Sequence, residues 1–259
     1  MAVVTGGGSG LGLAIARDLV ACGADVVITS RSAARLEAAE LRIAEETGRL
    51  CASLPCDVRH DEEVEQLRDY VLSRFGTATI VVNNAAANFH VPAERMTRRA
   101  METVVDIDLL GTFAITRAFV PGMIEMRRGT ILSITVPGVD RGFPGFSHAG
   151  AAKAGIVSLT ASWAREWGRY GIRVNSLAPG PVQTEGVTTN MLGMHAGETN
   201  QAFLPQVEGV ALQRLGTPED ISSAAVFLCS PAASWVTGVD LAVDGGVMLC
   251  HPIFGAVTP

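Results

Sequence analysis

A glycine-rich run near the start of the chain, Thr5-Gly6-Gly7-Gly8-Ser9-Gly10-Leu11-Gly12, has the composition of a pyrophosphate cradle. Glycine adopts backbone angles closed to other residues, and a helix N-terminus beyond the run adds positive potential. The spacing is Gly6-x3-Gly10-x-Gly12 rather than the strict GxGxxG fingerprint. Gly6, Gly8, Ser9, Gly10 and Leu11 are the candidate cofactor contacts. Further on, Thr29-Ser30-Arg31 ends a second apolar run without the carboxylate that accepts ribose hydroxyls in an NAD site. Arg31, and Arg35 one turn later, suit a ribose 2′-phosphate, the alternative being two solvated helix-start charges. NADP(H) is therefore the expected cofactor. Five cysteines with no CxxC pair, and histidines at 60, 90, 148, 195 and 251 with no HExxH spacing, point to reduced thiols and to no metal site.

Those residues need a scaffold, and the hydrophobic pattern supplies one. Short apolar runs read as strands at Ala2–Thr5, Asp25–Ser30, Leu50–Leu54, Thr79–Asn83, Thr130–Thr135, Ile172–Leu177 and Val239–Val243. Between them lie helical stretches at Leu11–Ala21, Ala33–Glu46, about Arg98 to Val120, about Ala149 to Arg169, and after Pro218. Another carries Val64, Leu67, Val71 and Phe75 on one face, with Asp61 as its N-cap. Near-continuous apolar strands alternating with helices predict a single-domain α/β fold, a Rossmann-like doubly wound parallel sheet with helices on both faces. One NADP(H)-binding domain is expected over residues 1–259. The stretch Gly186–Gly209 breaks the rhythm. It is either an irregular surface loop or, as its place beyond a strand end favours, a substrate lid at about 186–210.

Hydrophobic residues make up 48% of the chain and charged residues 18%, enough to bury a sizeable core. A net charge of −6 argues against a nucleic-acid surface. No run of consecutive apolar residues approaches the roughly 18–20 that cross a bilayer, so no membrane partner is expected. Met1–Thr5 lacks the features of a secretory signal, and Ala256–Pro259 carries no SKL-like address. A cytoplasmic location is the expectation.

The motif TGxxxGxG at Thr5–Gly12, followed by Asn83-Asn84-Ala85-Ala86 and by Pro179-Gly180, resembles the short-chain dehydrogenase/reductase superfamily from about residue 2 to 248. The resemblance implies a seven-stranded parallel sheet and a homotetramer built through the two long central helices. It also implies that Asp57 and Val58 meet the adenine, that Asn84 and Ala85 line the cofactor site, and that Pro179, Gly180, Val182 and Thr184 border the nicotinamide. The family's Tyr-x-x-x-Lys is present only in part. Lys153 stands in Ala151-Ala152-Lys153-Ala154-Gly155, but Ala149 replaces the tyrosine and Val136 the serine thirteen residues before it. The family's active-site asparagine is Asp108, in Asp108-Leu109-Leu110-Gly111. Carbonyl reduction needs a proton donor and a polariser of the oxygen, tasks beyond alanine and valine. Ser147 and His148 are neighbours in sequence, but adjacent helix positions point in different directions.

The segments Asn84–Phe89, Val105–Asp108, His148–Lys153 and Arg173–Pro181, with Gln213–Gly216 and Asp244–Gly246, resemble 2,4-dienoyl-CoA reductases, especially the peroxisomal type and its bacterial relatives. That branch implies NADPH-dependent reduction of a conjugated 2,4-dienoyl-CoA to a trans-3-enoyl-CoA, with hydride to C5 and a water-relayed proton to Cα. It implies catalytic roles for Asp108, which would hold the water, and Lys153, which would bond the nicotinamide ribose. A buried carboxylate there is expected to have a raised pKa. The alternative for Asp108 is a helix-bending role inherited from asparagine. Arg59 and Phe89 match substrate positions, the first for a CoA phosphate and the second for the acyl chain. Arg95, Arg98 and Arg99 either steer a polyanionic ligand or form a solvated helix face. Other readings remain beside the acyl-CoA substrate: a reductase of another activated C=C or C=N bond, or a non-catalytic NADP(H)-binding regulator.

Overall fold

The computed structural model of the protein describes residues 1–184 and 209–249. The segment read as a lid lies outside these residues apart from Gly209 and Val210, as does Ala256–Pro259. Seven strands form: β1 Ala2–Thr5, β2 Val26–Ser30, β3 Ala52–Pro55, β4 Ile80–Asn83, β5 Gly129–Ile134, β6 Ile172–Pro179 and β7 Asp240–Val243. They make one sheet in the order β3-β2-β1-β4-β5-β6-β7, every pair parallel. The helices among the described residues are α1 Gly10–Ala21, α2 Ala33–Thr47, α3 Asp61–Phe75, α4 Arg98–Val105, α5 Gly111–Met126, α6 Ser147–Trp167 and α7 Pro218–Cys229.

The strands read as apolar runs because both faces are covered. Ala2 and Val4 pack with Ile15, Leu19, Leu36, Ile43, Ile221 and Leu228 of α1, α2 and α7. Val3, between them, points the other way and packs with Val64, Leu67, Ile115, Phe119 and Trp163 of α3, α5 and α6. The period of two along a strand thus divides the core into two layers. Local signals set the helix ends. The Ser32 hydroxyl accepts from the Arg35 amide, and Gly48 stops α2 in the left-handed conformation at φ 68°. Thr217 and Asp220 form a capping box on α7, with Pro218 in its first turn.

Several sequence expectations need correction. Asp61 is not the cap of α3 but lies in its first turn with Glu62 and Glu63, where carboxylates favour the helix dipole; the cap is His60, whose side chain makes no capping bond. Phe75 ends α3 at 37% exposure instead of completing the buried face. The third strand starts two residues later than the apolar pattern suggests, because β2 pairs Val27 with Ala52 and leaves Leu50 exposed. The helical stretch from Arg98 runs on to Met126, through a π-helical turn at Asp106–Leu110. Within these 29 residues lies an 18-residue window apolar enough, by length and composition, to cross a bilayer, a property that buried core helices share. Here the stretch packs as a core helix, burying Ile115, Phe119, Val120 and Met123 against the sheet.

Candidate active site

The strand order reverses between β1 and β4, which opens a crevice at the carboxyl ends of the strands. The glycine run lies there. Gly6 and Gly10 have φ of 64° and 54°, conformations that strain any residue with a Cβ. A Cβ on Gly12 would stand 2.3 Å from the Gly6 carbonyl oxygen, so α1 presses directly onto the loop. Ser9 caps α1 without a side-chain bond, and no acidic residue occupies the first turn. The leading N–H groups of α1 therefore face the loop without a competing carboxylate, and Leu11, half-buried, follows. This cradle suits the diphosphate of a nicotinamide dinucleotide.

The loop is braced from β4. The Thr5 hydroxyl accepts the amides of Asn84 and Ala85, each at 3.0 Å. Asn84 Nδ2 donates to the carbonyls of Thr5 at 3.0 Å and Gly6 at 3.3 Å. Asn84 thus holds the backbone of the cradle. The hydroxyl of Thr5 was not singled out from sequence, although it is the first letter of the matched motif.

Arg35 lies beside the loop: a Cβ on Gly8 would approach Arg35 Cβ to 3.4 Å and Ser30 Oγ to 3.3 Å. Arg31 and Arg35 are both exposed, and no ion pair engages either among the described residues. Asp57 is nearly buried and its carboxylate is gripped by Arg59, with Nε to Oδ1 at 2.9 Å and Nη2 to Oδ2 at 2.5 Å. That guanidinium and the Arg59 amide hold the Asp57 carboxyl down to about 2. Arg59, read as a CoA contact, is therefore already engaged beside the residue read as an adenine contact. Val58 is buried against Gly111, where an added Cβ would come within 2.5 Å of it.

Past β6, the amide of Gly180 donates to Val243, and a Cβ there would meet Asp244 Cα at 2.5 Å. Pro179 pairs with Val243, and Val182 bridges to Gly216. Thr184 comes back over the glycine run, its Cβ 3.9 Å from the place of a Cβ on Gly10. Asp244 accepts from the amides of Gly246 and Met248, a turn-holding role.

The reactive end is built by the π turn and α6. Asp108 sits in Asp106–Leu110 and is 1% exposed. Its Oδ1 accepts from the Ala87 amide at 2.8 Å, and its Oδ2 lies 3.3 Å from Lys153 Nζ. Lys153, also buried, donates to the Ile134 carbonyl at 2.9 Å. Burial pushes the Asp108 carboxyl above the usual carboxylate range, against the opposing pull of the Lys153 ammonium and the Ala87 amide. The sequence places these two residues 45 positions apart (153 − 108), and the fold makes them a pair. Phe89 stands edge-on to the ring of His148, with centroids 4.6 Å apart. Arg98 is engaged by Glu102 at 2.8 Å on an exposed helix face, and Arg95 and Arg99 are exposed.

Residues 6–248 match the family model described as enoyl-(acyl carrier protein) reductase. The peroxisomal 2,4-dienoyl-CoA reductase [(3E)-enoyl-CoA-producing] of Pongo abelii is 40% identical over 97% of this chain and 85% of its own length. The probable 2,4-dienoyl-CoA reductase [(2E)-enoyl-CoA-producing] of Bacillus subtilis is 36% identical over 95% of this chain and 96% of its own. This chain belongs to the short-chain dehydrogenase/reductase family. Among solved structures, a short-chain dehydrogenase from Bacillus anthracis matches at a TM-score of 0.85 and 36% identity, covering 97% of each chain. Levodione reductase matches at a TM-score of 0.91 and 32% identity, over 96% of this chain and 98% of the other. As a short-chain dehydrogenase/reductase, the protein is an oxidoreductase whose fold implies a nicotinamide cofactor.

Proposed function

We propose that this short-chain reductase uses NADPH to reduce a conjugated 2,4-dienoyl-CoA to a trans-3-enoyl-CoA. One observation carries the reading: a buried carboxylate, Asp108, lies beside Lys153 in a site where Ala149 and Val136 replace the family's two hydroxyls. The named relatives act on the same substrate class. Arg35 beside the glycine run, with no nearby carboxylate at the end of β2, supports NADPH over NADH.

The bound nicotinamide would supply a hydride to C5 of the diene. Negative charge then spreads through the conjugated system to the thioester oxygen, and a proton must reach Cα to leave a C3–C4 double bond. Lys153 adds positive potential beside the developing charge and is held there by the Ile134 carbonyl. Asp108, its carboxyl raised by burial, is suited to holding a water and passing a proton. Gly6–Leu11, Asn84, Ala85 and Pro179–Thr184 would hold the cofactor, and Asp57 its adenine. Phe89 would pack on the acyl chain. Arg59 is engaged by Asp57, and only the N–H groups left over from that pair, on Nη1 and Nη2, could reach a CoA phosphate. The proposal includes a cytoplasmic location and a homotetramer, the second supported by the exposed apolar residues Leu110, Phe113 and Met126 on the central helix.

The experiment is to follow NADPH absorbance with hexadienoyl-CoA, enoyl-CoA and ketoacyl-CoA, and to identify the product. Rapid oxidation with the diene and a 3-enoyl product supports the reading. A 2-enoyl product would move protonation to the distal carbon, and reduction of ketones alone would overturn the assignment. Cofactor binding without turnover of any acceptor would indicate a regulator.

A further inference from the structure

His148 opens α6 immediately before Ala149, the position of the absent tyrosine, and it is 0% exposed. Its Nδ1 accepts the backbone N–H of Ala149 at 2.6 Å. Since an amide N–H can only donate, Nδ1 presents its lone pair, and the neutral ring carries its hydrogen on Nε2. Nε2 has no hydrogen-bond partner among the described residues. A buried donor left unpaired costs about 1–3 kcal/mol, so such a group calls for an explanation. The ring is not remote from the chemistry. It packs edge-on against Phe89, the residue read as meeting the acyl chain.

Two other buried side-chain polar atoms lack partners among the described residues. Asn83 Oδ1 can only accept, and Thr160 Oγ1 lies about two turns beyond Lys153 along α6. Lys153 is committed to Ile134 and Asp108. His148 is thus the neutral donor that remains beside the reactive pair. The loss of hydroxyls at 136 and 149 removes the groups that would polarise a substrate oxygen, and Nε2–H has the chemistry to take over that task.

We infer that His148 is a further catalytic residue, donating from Nε2–H to the thioester carbonyl oxygen of the acyl-CoA. This rests on the proposed dienoyl-CoA reduction. As hydride adds at C5, the C4–C5 π pair moves to C3–C4, the C2–C3 pair moves to C1–C2, and the carbonyl π pair moves onto oxygen. The histidine hydrogen bond strengthens as that oxygen gains charge. A proton from water then forms the Cα–H bond and the carbonyl returns. His148 acts only as a donor throughout, with Nδ1 engaged by the Ala149 amide.

The test compares His148→Phe, which keeps an aromatic ring but has no donor, with His148→Gln, whose amide nitrogen lies near the position of Nε2. Expected for His148→Phe are a fall in kcat of about 10²–10³-fold, a KM changed far less, and unaltered NADPH binding. His148→Gln should recover at least about tenfold of the lost turnover, which a packing role would not produce. Without cofactor, isotope-edited infrared spectra of bound hexadienoyl-CoA should show the carbonyl stretch below its value in aprotic solvent for the wild type and the glutamine variant, but not for phenylalanine. Wild-type kcat in His148→Phe, or equal impairment of both variants, would overturn the inference. So would an unshifted carbonyl in the wild type, a measurement that needs no variant to fold. An inactive wild type would instead sink the proposed reaction and this role with it, whereas an active wild type with a normal phenylalanine variant removes only the histidine.

Discussion

Replacing Asp108 with asparagine should cost activity without costing stability. At 3.3 Å and an effective dielectric of about 20, the attraction between Asp108 and Lys153 is about 5 kcal/mol. The desolvation of each buried ion is also several kcal/mol, so the two terms nearly cancel. The raised Asp108 carboxyl shows which is larger: desolvation exceeds the pull of Lys153 and the Ala87 amide. A folded-state pKa above the unfolded one means that this group's stabilising contribution is complete below the ordinary carboxylate range. It is lost as pH rises through the raised value. The ionised carboxylate is therefore held against a folding cost; an amide of the same shape removes that cost and keeps the Ala87 bond, while Lys153 keeps the Ile134 carbonyl but loses its counter-charge, which offsets the gain. Urea unfolding at pH 7 should place Asp108→Asn within about 1 kcal/mol of the wild type, because the relief of carboxylate desolvation and the loss of the Lys153 counter-charge oppose each other, with a flatter dependence of stability on pH. Turnover of hexadienoyl-CoA should fall by about 10²-fold or more. The converse change, Lys153→Met, strands a buried carboxylate and should cost about 3–5 kcal/mol. Near-normal turnover of Asp108→Asn with intact NADPH binding would refute its proton role. A loss of 3–5 kcal/mol in that variant would refute the claim that desolvation outweighs attraction.

Arg35→Ala should weaken NADPH binding about tenfold by removing one charge-assisted contact and leave NADH binding unchanged, as fluorescence titration with both nucleotides would show. If NADH suffers equally, the arginine does not read the 2′-phosphate. Gly12→Ala drives a Cβ to within 2.3 Å of the Gly6 carbonyl, so it should cost about 1–3 kcal/mol in thermal unfolding and depress nucleotide affinity. Unchanged affinity would show that the cradle is not the binding site. Asp57, lowered from 3.8 to about 2 by Arg59, stabilises the fold above its unfolded value and loses that contribution as pH falls toward 2. After screening at the partly exposed Arg59, the contribution is about 1–2 kcal/mol, and Asp57→Asn should flatten acid unfolding between pH 4 and 2 by that amount.

The sheet was legible because buried parallel strands leave continuous apolar runs, and the glycine run betrayed the cradle through residues that need unusual backbone angles. What stayed hidden was the partnering of polar groups across the fold. Arg59 looked free for a phosphate until the turn after β3 folded it back onto Asp57. His148 looked ruled out by its helix position, yet the ring of that position reaches Phe89. The capping role given to Asp61 failed because the cap is the preceding residue, His60, which makes no side-chain capping bond, while Asp61 already lies in the first turn where carboxylates meet the helix dipole.

The wide turn at Asp106–Leu110 also determines where this chain can change length. A π turn accommodates one residue more than an α turn, and each residue of an α-helix advances the side chains by roughly 100°. Deleting a single residue there would let the segment rewind as regular helix and swing Asp108 away from Ala87 and Lys153, or else turn Ile115 and Phe119 out of the core. Relatives that alter substrate size should therefore vary at the loops beyond the strand ends, whereas an insertion or deletion inside this turn would mark a lineage that has abandoned the carboxylate chemistry.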